Sequence, residues 1–286
     1  MTIDSSTERK IQALLQLLTD PNAHVADMIQ QELVTMGEIV LPYLEECDWR
    51  GQELGPRLAD IREDIRFMTL QSELKQLLAD GGQPLDLEAA IFLLARTAYP
   101  NIDMRDYSQQ LDDLAAEIRP RLVPSLTSEQ ANHVLCRYLF KEKGFFGNRD
   151  HYYDPDNSFL NRVLDRRTGI PITLSALYLL LSNRLGLSCV GVGMPGHFVV
   201  KLEKTEPAVF IDCFNGGAFL QEKDCRQFLT DAGVKFDDVY LKHTPNELII
   251  ARMIRNLIGV YEQQQESGRV DRLNRLMASL EHVSES

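Results

Sequence analysis

The sequence predicts a mainly helical α+β chain, with a small antiparallel sheet packed on one long helix and helical regions on both flanks. Three observations carry that expectation. Apolar residues recur at helical spacing through the first 120 positions and again after Pro245. One long apolar segment, 172–185, opens on Pro171 and closes on Gly186, residue types that start and stop helices. Short β-rich runs at 190–192, 197–202 and 208–211 follow it.

Taken in order, Ile11, Leu14, Leu15 and Leu18 make the first apolar stripe, and Asp20-Pro21-Asn22 breaks it. Val25, Ile29, Leu33 and Met36 make the second, which Gly37 ends; a short third piece covers 39–44. This helix-turn-helix stretch resembles a single HEAT-type repeat, and no second copy follows it. One unit is weak evidence for a solenoid, so an ordinary helical hairpin is the preferred reading. Trp49, near Cys47 and Arg50, is expected to pack at a helix end. Further helices are expected over 55–78, 85–98 and 107–118, with a loop at Gly81-Gly82-Gln83-Pro84. Pro120 and Pro124 mark a boundary, after which 125–128 offers caps for a helix running to Lys143. The stretch 144–157 reads as an ordered loop, and Ser158 as the cap of a short helix through Asp165. Asn215-Gly216-Gly217 is a turn, and 221–232 returns to helix. Leu248, Ile249, Met253, Leu257 and Val260 line one C-terminal helix; Leu273, Leu276 and Leu280 line a last one over 270–282. The expected division is a helical region 1–124, a core 125–243 and a C-terminal helical pair 244–286.

Bulk properties exclude several classes. The net charge of -12 argues against nucleic-acid binding, which needs clustered Lys and Arg, and against adsorption to anionic lipid. The first ten residues are polar, without the apolar core of a signal peptide, and the longest apolar run, 174–181, is too short to span a bilayer. The five cysteines are widely spaced and form neither a C-x-x-C pair nor a zinc pattern. A cytoplasmic protein with no metal and no cofactor is expected.

Gly191-Val-Gly-Met-Pro-Gly196 matches G-x-G-x-x-G by letter, but a strand follows it where a dinucleotide site needs a helix. His197 opens that strand directly after a Pro-Gly turn, and Asp212 ends a later strand of opposite direction. Adjacent pairing would put the carboxylate within reach of the imidazole, the orienting half of a catalytic triad. The competing expectation is a structural His–Asp pair at a strand edge. In the loop, Asn148, Tyr152, Tyr153, Asp154 and Asn157, with Arg166 and Arg167, could line a binding cleft before His197. The same residues suit Asx turns and caps. The remaining histidines, His24, His133, His151, His243 and His282, show no pairing pattern.

The stretch GIPITLSALYLLLSNRLGLSCVGVGMPGHFVVKL, followed by VFIDCFNGG, resembles the core of the transglutaminase-like superfamily, a papain-like arrangement. The upstream FGNRDHYYDPDNSFLNRVLDRRTGIP makes it resemble the SirB-type branch, whose core is also found in an F-box protein and is often followed by TPR-like helices. In active members of the wider superfamily, the resemblance implies a nucleophilic Cys near the start of the core helix. The base is the His of a later strand, oriented by an Asp on the next. His197 and Asp212 match the last two positions. Aligned on Arg184 and Gly186, the nucleophile position falls at Pro171 or Ile172, and neither attacks a carbonyl.

Thr173 is a weak substitute, since a Thr hydroxyl in the first helical turn needs a strong adjacent base. Ser175 is expected to face elsewhere, Cys213 to point away by strand alternation, and Cys189 to lie in the core. The resulting expectation is a transglutaminase-like pseudoenzyme that binds a protein or peptide. The alternatives are a cysteine-peptidase-like or amide hydrolase with a substitute nucleophile, and a helical adaptor with a structural core.

Overall fold

The computed structural model describes residues 4–46, 54–79 and 84–281, which form two compact units, 1–76 and 77–286. Trp49 with Cys47 and Arg50, the loop around Gly81-Gly82-Gln83, and His282 lie outside the described residues. The architecture is mainly helical α+β. Among the described residues no helix is long and apolar enough to cross a membrane.

In the first unit, α1 (Ser5–Leu17) starts where the Asp4 carboxylate accepts from the backbone N–H of Ser6 and Thr7. Helix α2 (Ala23–Met36) is capped by Asn22 and stopped by Gly37. With α3 (Leu41–Glu46) and α4 (Gly55–Leu78), they enclose a core of Ile11, Leu15, Leu33, Val40, Ile61 and Ile65.

The second unit begins with α5 (Leu87–Arg96) and α6 (Met104–Ile118). Helix α7 (Ser128–Arg137) opens with a reciprocal Thr127–Gln130 capping box and runs on through a wider π turn, Tyr138–Glu142. Two-residue strands β1 (Phe146–Gly147) and β2 (Thr168–Gly169) pair in parallel and clip the following loop. Ser158 caps no helix, contrary to expectation. Asp154 instead caps a 3₁₀ turn, Pro155–Ser158, and α8 (Leu160–Arg166) starts after Phe159 with no side-chain cap.

Helix α9 (Pro171–Leu185) is the central element. Ile172, Leu174, Leu177, Tyr178 and Leu181 are buried on several of its sides, as in a helix enclosed by protein. It ends at Gly186 in the left-handed region (φ 72), where the Leu187 N–H reaches back to Ser182 at 2.8 Å. Near that end Arg184 meets Glu88 of α5 and Asp112 of α6, each at 2.6 Å.

Strands β3 (Cys189–Met194), β4 (His197–Leu202), β5 (Val209–Asp212) and β6 (Ala218–Gln221) form an antiparallel meander that packs on α9. The turn into β6 requires glycine: Gly217 has φ 75, and a Cβ there would lie 2.5 Å from the Phe140 ring. Helices α10 (Glu222–Asp231), α11 (Asn246–Gln263) and α12 (Ser267–Glu281) complete the unit.

Candidate functional site

The sheet register builds the site. Strands β4 and β5 pair Val200 with Ile211 and Lys201 with Phe210. Extending that register sets Asp212 opposite Val199, and His197 lies two residues further on the same face. The two side chains meet there, with His197 Nε2 2.8 Å from Asp212 Oδ2. Both are buried, at 6% and 5% exposure. Asn215 holds the carboxylate from the far side: its N–H donates to Oδ1 at 3.0 Å and its Nδ2 to Oδ2 at 2.6 Å.

Burial pushes the Asp212 carboxyl upward, but the His197 hydrogen bond and charge, with the Asn215 donors, outweigh it and hold the group below the ordinary carboxylate range. An ionised Asp212 is an acceptor only, so Nε2 carries the hydrogen of that bond. Nδ1 is then the ring nitrogen that the carboxylate leaves for another partner.

Aromatic side chains surround the imidazole. Phe228 of α10 lies 5.0 Å from it, centroid to centroid, and Phe214 stands edge-on at 6.4 Å. Tyr152 contacts Phe214 at 6.0 Å and Tyr153 contacts Tyr152 at 5.3 Å. The row of rings thus runs from a buried imidazole to Tyr153, which is 60% exposed. Beside Phe214 and Asn215 opens a cavity of about 450 Å³, lined also by Phe146, Asn148, Arg149 and Asp150.

Among the described residues no side-chain hydroxyl or thiol is hydrogen-bonded to the His197 ring. Pro171 and Ile172 are buried in the first turn of α9. Thr173 is fully buried and its Oγ1 has no hydrogen-bond partner. The Ser175 hydroxyl donates to the Phe198 carbonyl at 3.4 Å. Among the described residues no cysteine sulfur hydrogen-bonds the His197 ring. Burial pushes the Cys136 and Cys225 thiols to about 12, Cys189 to about 11 and Cys213 well above the usual range, the reverse of what a reactive thiolate needs. Among the same residues no group of three or more His, Cys, Asp and Glu side chains is disposed to hold a metal ion.

The loop residues divide. Asn148 and Asn157 bond each other at 3.0 Å, and Asn157 Nδ2 also donates to the His151 and Tyr152 carbonyls. Asp154 caps the 3₁₀ turn and pairs with Arg166 at 2.8 Å; Arg166 also meets Asp156. Arg167, at positive φ, donates to the Lys143 carbonyl. These five side chains spend their polar groups holding the loop, whereas Tyr152 and Tyr153 present exposed surface beside the dyad. Sequence reasoning missed Asn215, Phe214 and Phe228, which stand against the dyad. Asn215 had a legible signal, since an Asn three residues after an Asp can turn back to bond it.

A family model described as the transglutaminase-like superfamily matches residues 105–255. The chain is similar to a UPF0162 protein of Xylella fastidiosa, at 33% identity over 196 residues, 66% of this chain and 70% of the relative. It is similar to a UPF0162 protein of Vibrio cholerae at 27% identity over 173 residues, 59% of this chain and 64% of that one. It also matches F-box only protein 21 of Mus musculus, at 31% identity over 136 residues, 44% of this chain and 21% of that protein. No solved structure matches.

Proposed function

The chain belongs to the transglutaminase-like superfamily, and from that premise we propose that it is a member without an attacking thiol, which binds a peptide or protein segment at the His197–Asp212 cleft. The observation that carries this reading is the state of the imidazole. Its Nε2 is tied to a buried carboxylate, yet among the described residues no sulfur or hydroxyl is hydrogen-bonded to the ring. Covalent acyl transfer needs an attacking group beside the base. Without one, an oriented base is a fixed hydrogen-bond acceptor at the end of an aromatic row.

In this reading His197 Nδ1 accepts an N–H or O–H of the ligand, Asp212 holds the ring, and Tyr152 and Tyr153 supply rigid contact area. Asn148, Asp154, Asn157, Arg166 and Arg167 shape the rim by fixing the loop. The functional unit we assign is the core, 125–243, with the TPR-like pair, 244–286. The region 1–124, HEAT-like at its start, extends it by helices. We place the chain in the SirB-type branch and in the cytoplasm.

One observation favours a second reading, an amide hydrolase with a substitute nucleophile. Thr173 Oγ1 is a buried hydroxyl without a partner, in the first turn of α9. Its full burial requires that turn to open before any substrate could reach it.

A random peptide library panned on the wild-type protein tests binding at the cleft. Enriched peptides should bind the wild type and lose about tenfold or more in affinity in Tyr152→Ala and His197→Ala, the cost of removing a central anchor. Binding indifferent to both substitutions would move the contact surface to the flanking helices and make the chain a helical adaptor.

A further inference from the structure

We propose that Arg252 of α11 is a positioning residue for His197: through two backbone carbonyls it holds the turn that sets the imidazole against Asp212. The inference rests on the binding reading of the cleft and names what keeps its central side chain in place.

The turn itself needs a hold. Met194 pairs with His197 across β3 and β4, so Pro195-Gly196 is a two-residue hairpin loop. Proline fixes φ near about −65°, and Gly196 follows at φ 73, which is the pattern of a type II turn. Two-residue hairpins favour types I′ and II′, whose twist follows that of the strands, whereas type II splays them. A splayed hairpin end leaves the first residue of β4 poorly fixed, and that residue is His197.

Arg252 supplies the hold. Its Nη2 donates to the Met194 carbonyl at 2.7 Å and to the His197 carbonyl at 2.8 Å, so one nitrogen bridges both ends of the loop. Each carbonyl has two lone pairs, and these bonds need not compete with the strand ladder. The guanidinium reaches them over the sheet face opposite the imidazole. It lies 5.7 Å from the centroid of the Phe198 ring, and a Cβ at Gly193 would come within 3.0 Å of Nη1. Gly193 and Phe198 are paired and share that face, while Met194 and His197 point to the other. Glycine at 193 therefore leaves the guanidinium its place. Burial opposes the Arg252 charge, and the two carbonyl dipoles offset that penalty only while the turn stays in position.

A second tie is independent of Arg252. The Thr244 N–H donates to the Gly191 carbonyl at 2.8 Å, and the Gly193 N–H donates to Thr244 Oγ1 at 2.9 Å. These bonds attach the segment before α11 to the outer edge of β3, away from the turn. Loss of the guanidinium therefore leaves that attachment intact and frees the turn alone. Arg252 is thus the link by which the C-terminal helices act on His197.

NMR of the full chain with isotope-labelled histidine tests this, reading the His197 ring nitrogens and the Nε2–H proton. The wild type should show one tautomer with a slowly exchanging Nε2–H, from its bond to Asp212. Arg252→Met should mix the tautomers and speed that exchange about tenfold or more, the equivalent of one lost charged hydrogen bond. Arg252→Lys, whose ammonium has three donors for the same two carbonyls, should restore most of the protection. Thr244→Val breaks the attachment away from the turn and should leave the ring signals as they are. Unaltered ring signals in folded Arg252→Met, or an equal response in Thr244→Val, overturns the proposal. Should the Met variant not fold, Arg252→Gln, which keeps donors for one carbonyl, takes its place and the same signals decide. A peptide enriched on the wild type by panning should bind about threefold or more weakly to Arg252→Met and recover in Arg252→Lys. A loosened ring with undiminished peptide affinity would uphold the positioning of His197 and refute the binding reading of the cleft.

Discussion

Replacing His197 by Ala should destabilise the second unit in a way that depends on pH. The wild-type pair is a 2.8 Å bond between two groups with at most 6% exposure. A lost hydrogen bond to a charged partner costs about 1.5–3 kcal/mol, and the space left by the imidazole adds to it. The full penalty of a stranded buried charge, about 3–5 kcal/mol, is not reached because Asn215 still donates twice to Asp212. The expected loss at pH 7 is therefore about 2–4 kcal/mol. Asp212 has a depressed folded-state pKa, so its contribution is complete above the unfolded carboxyl value of about 3.9 and fades as pH falls through the lower folded value. Without His197 part of that depression is relieved, the Asn215 share remaining, and the gap between wild type and variant should shrink below about pH 4. Urea denaturation followed by far-UV circular dichroism at pH 7 and pH 3.5 measures both quantities. A loss under about 0.5 kcal/mol, the scale of an ordinary surface change, or a gap that widens on acidification would refute the buried-pair reasoning.

Two further outcomes follow from the packing. Arg184→Met should cost about 1–2 kcal/mol in the same denaturation assay, because it removes the ion pairs from α9 to Glu88 and Asp112 and leaves Glu88 with the Ser108 hydroxyl as its remaining partner; a near-neutral result would mean these ion pairs contribute nothing net. Iodoacetamide at pH 7.5, read by peptide mass spectrometry, should label Cys136, Cys189, Cys213 and Cys225 slowly in the native state and fast in urea; rapid native labelling at Cys225 or Cys213 would reveal an accessible thiolate.

Much of the site was legible because local rules fix it. Pro171 at the first turn and Gly186 in the left-handed cap delimit α9, as the sequence implies. The Pro195-Gly196 turn reverses the chain so that β3 closes on His197, with Met194 opposite it. A hairpin partner ending in a carboxylate then falls on the same face. Strand β6 was not legible: Ala218–Gln221 is short, half-exposed and preceded by two glycines, so it lacks alternation. The two-residue strands β1 and β2 are set by tertiary contact alone. The roles of the loop polar residues depended on which partners they found, which spacing does not encode.

A turnover assay of the purified chain beside His197→Ala, with glutamine donors and peptide substrates, asks whether the oriented His–Asp pair works without an attacking group. No turnover above background is expected in either protein, because covalent acyl transfer needs an attacking group beside the base. Clear activity in the wild type that vanishes in His197→Ala would contradict it, and would mean that Thr173, a cysteine or an activated water attacks.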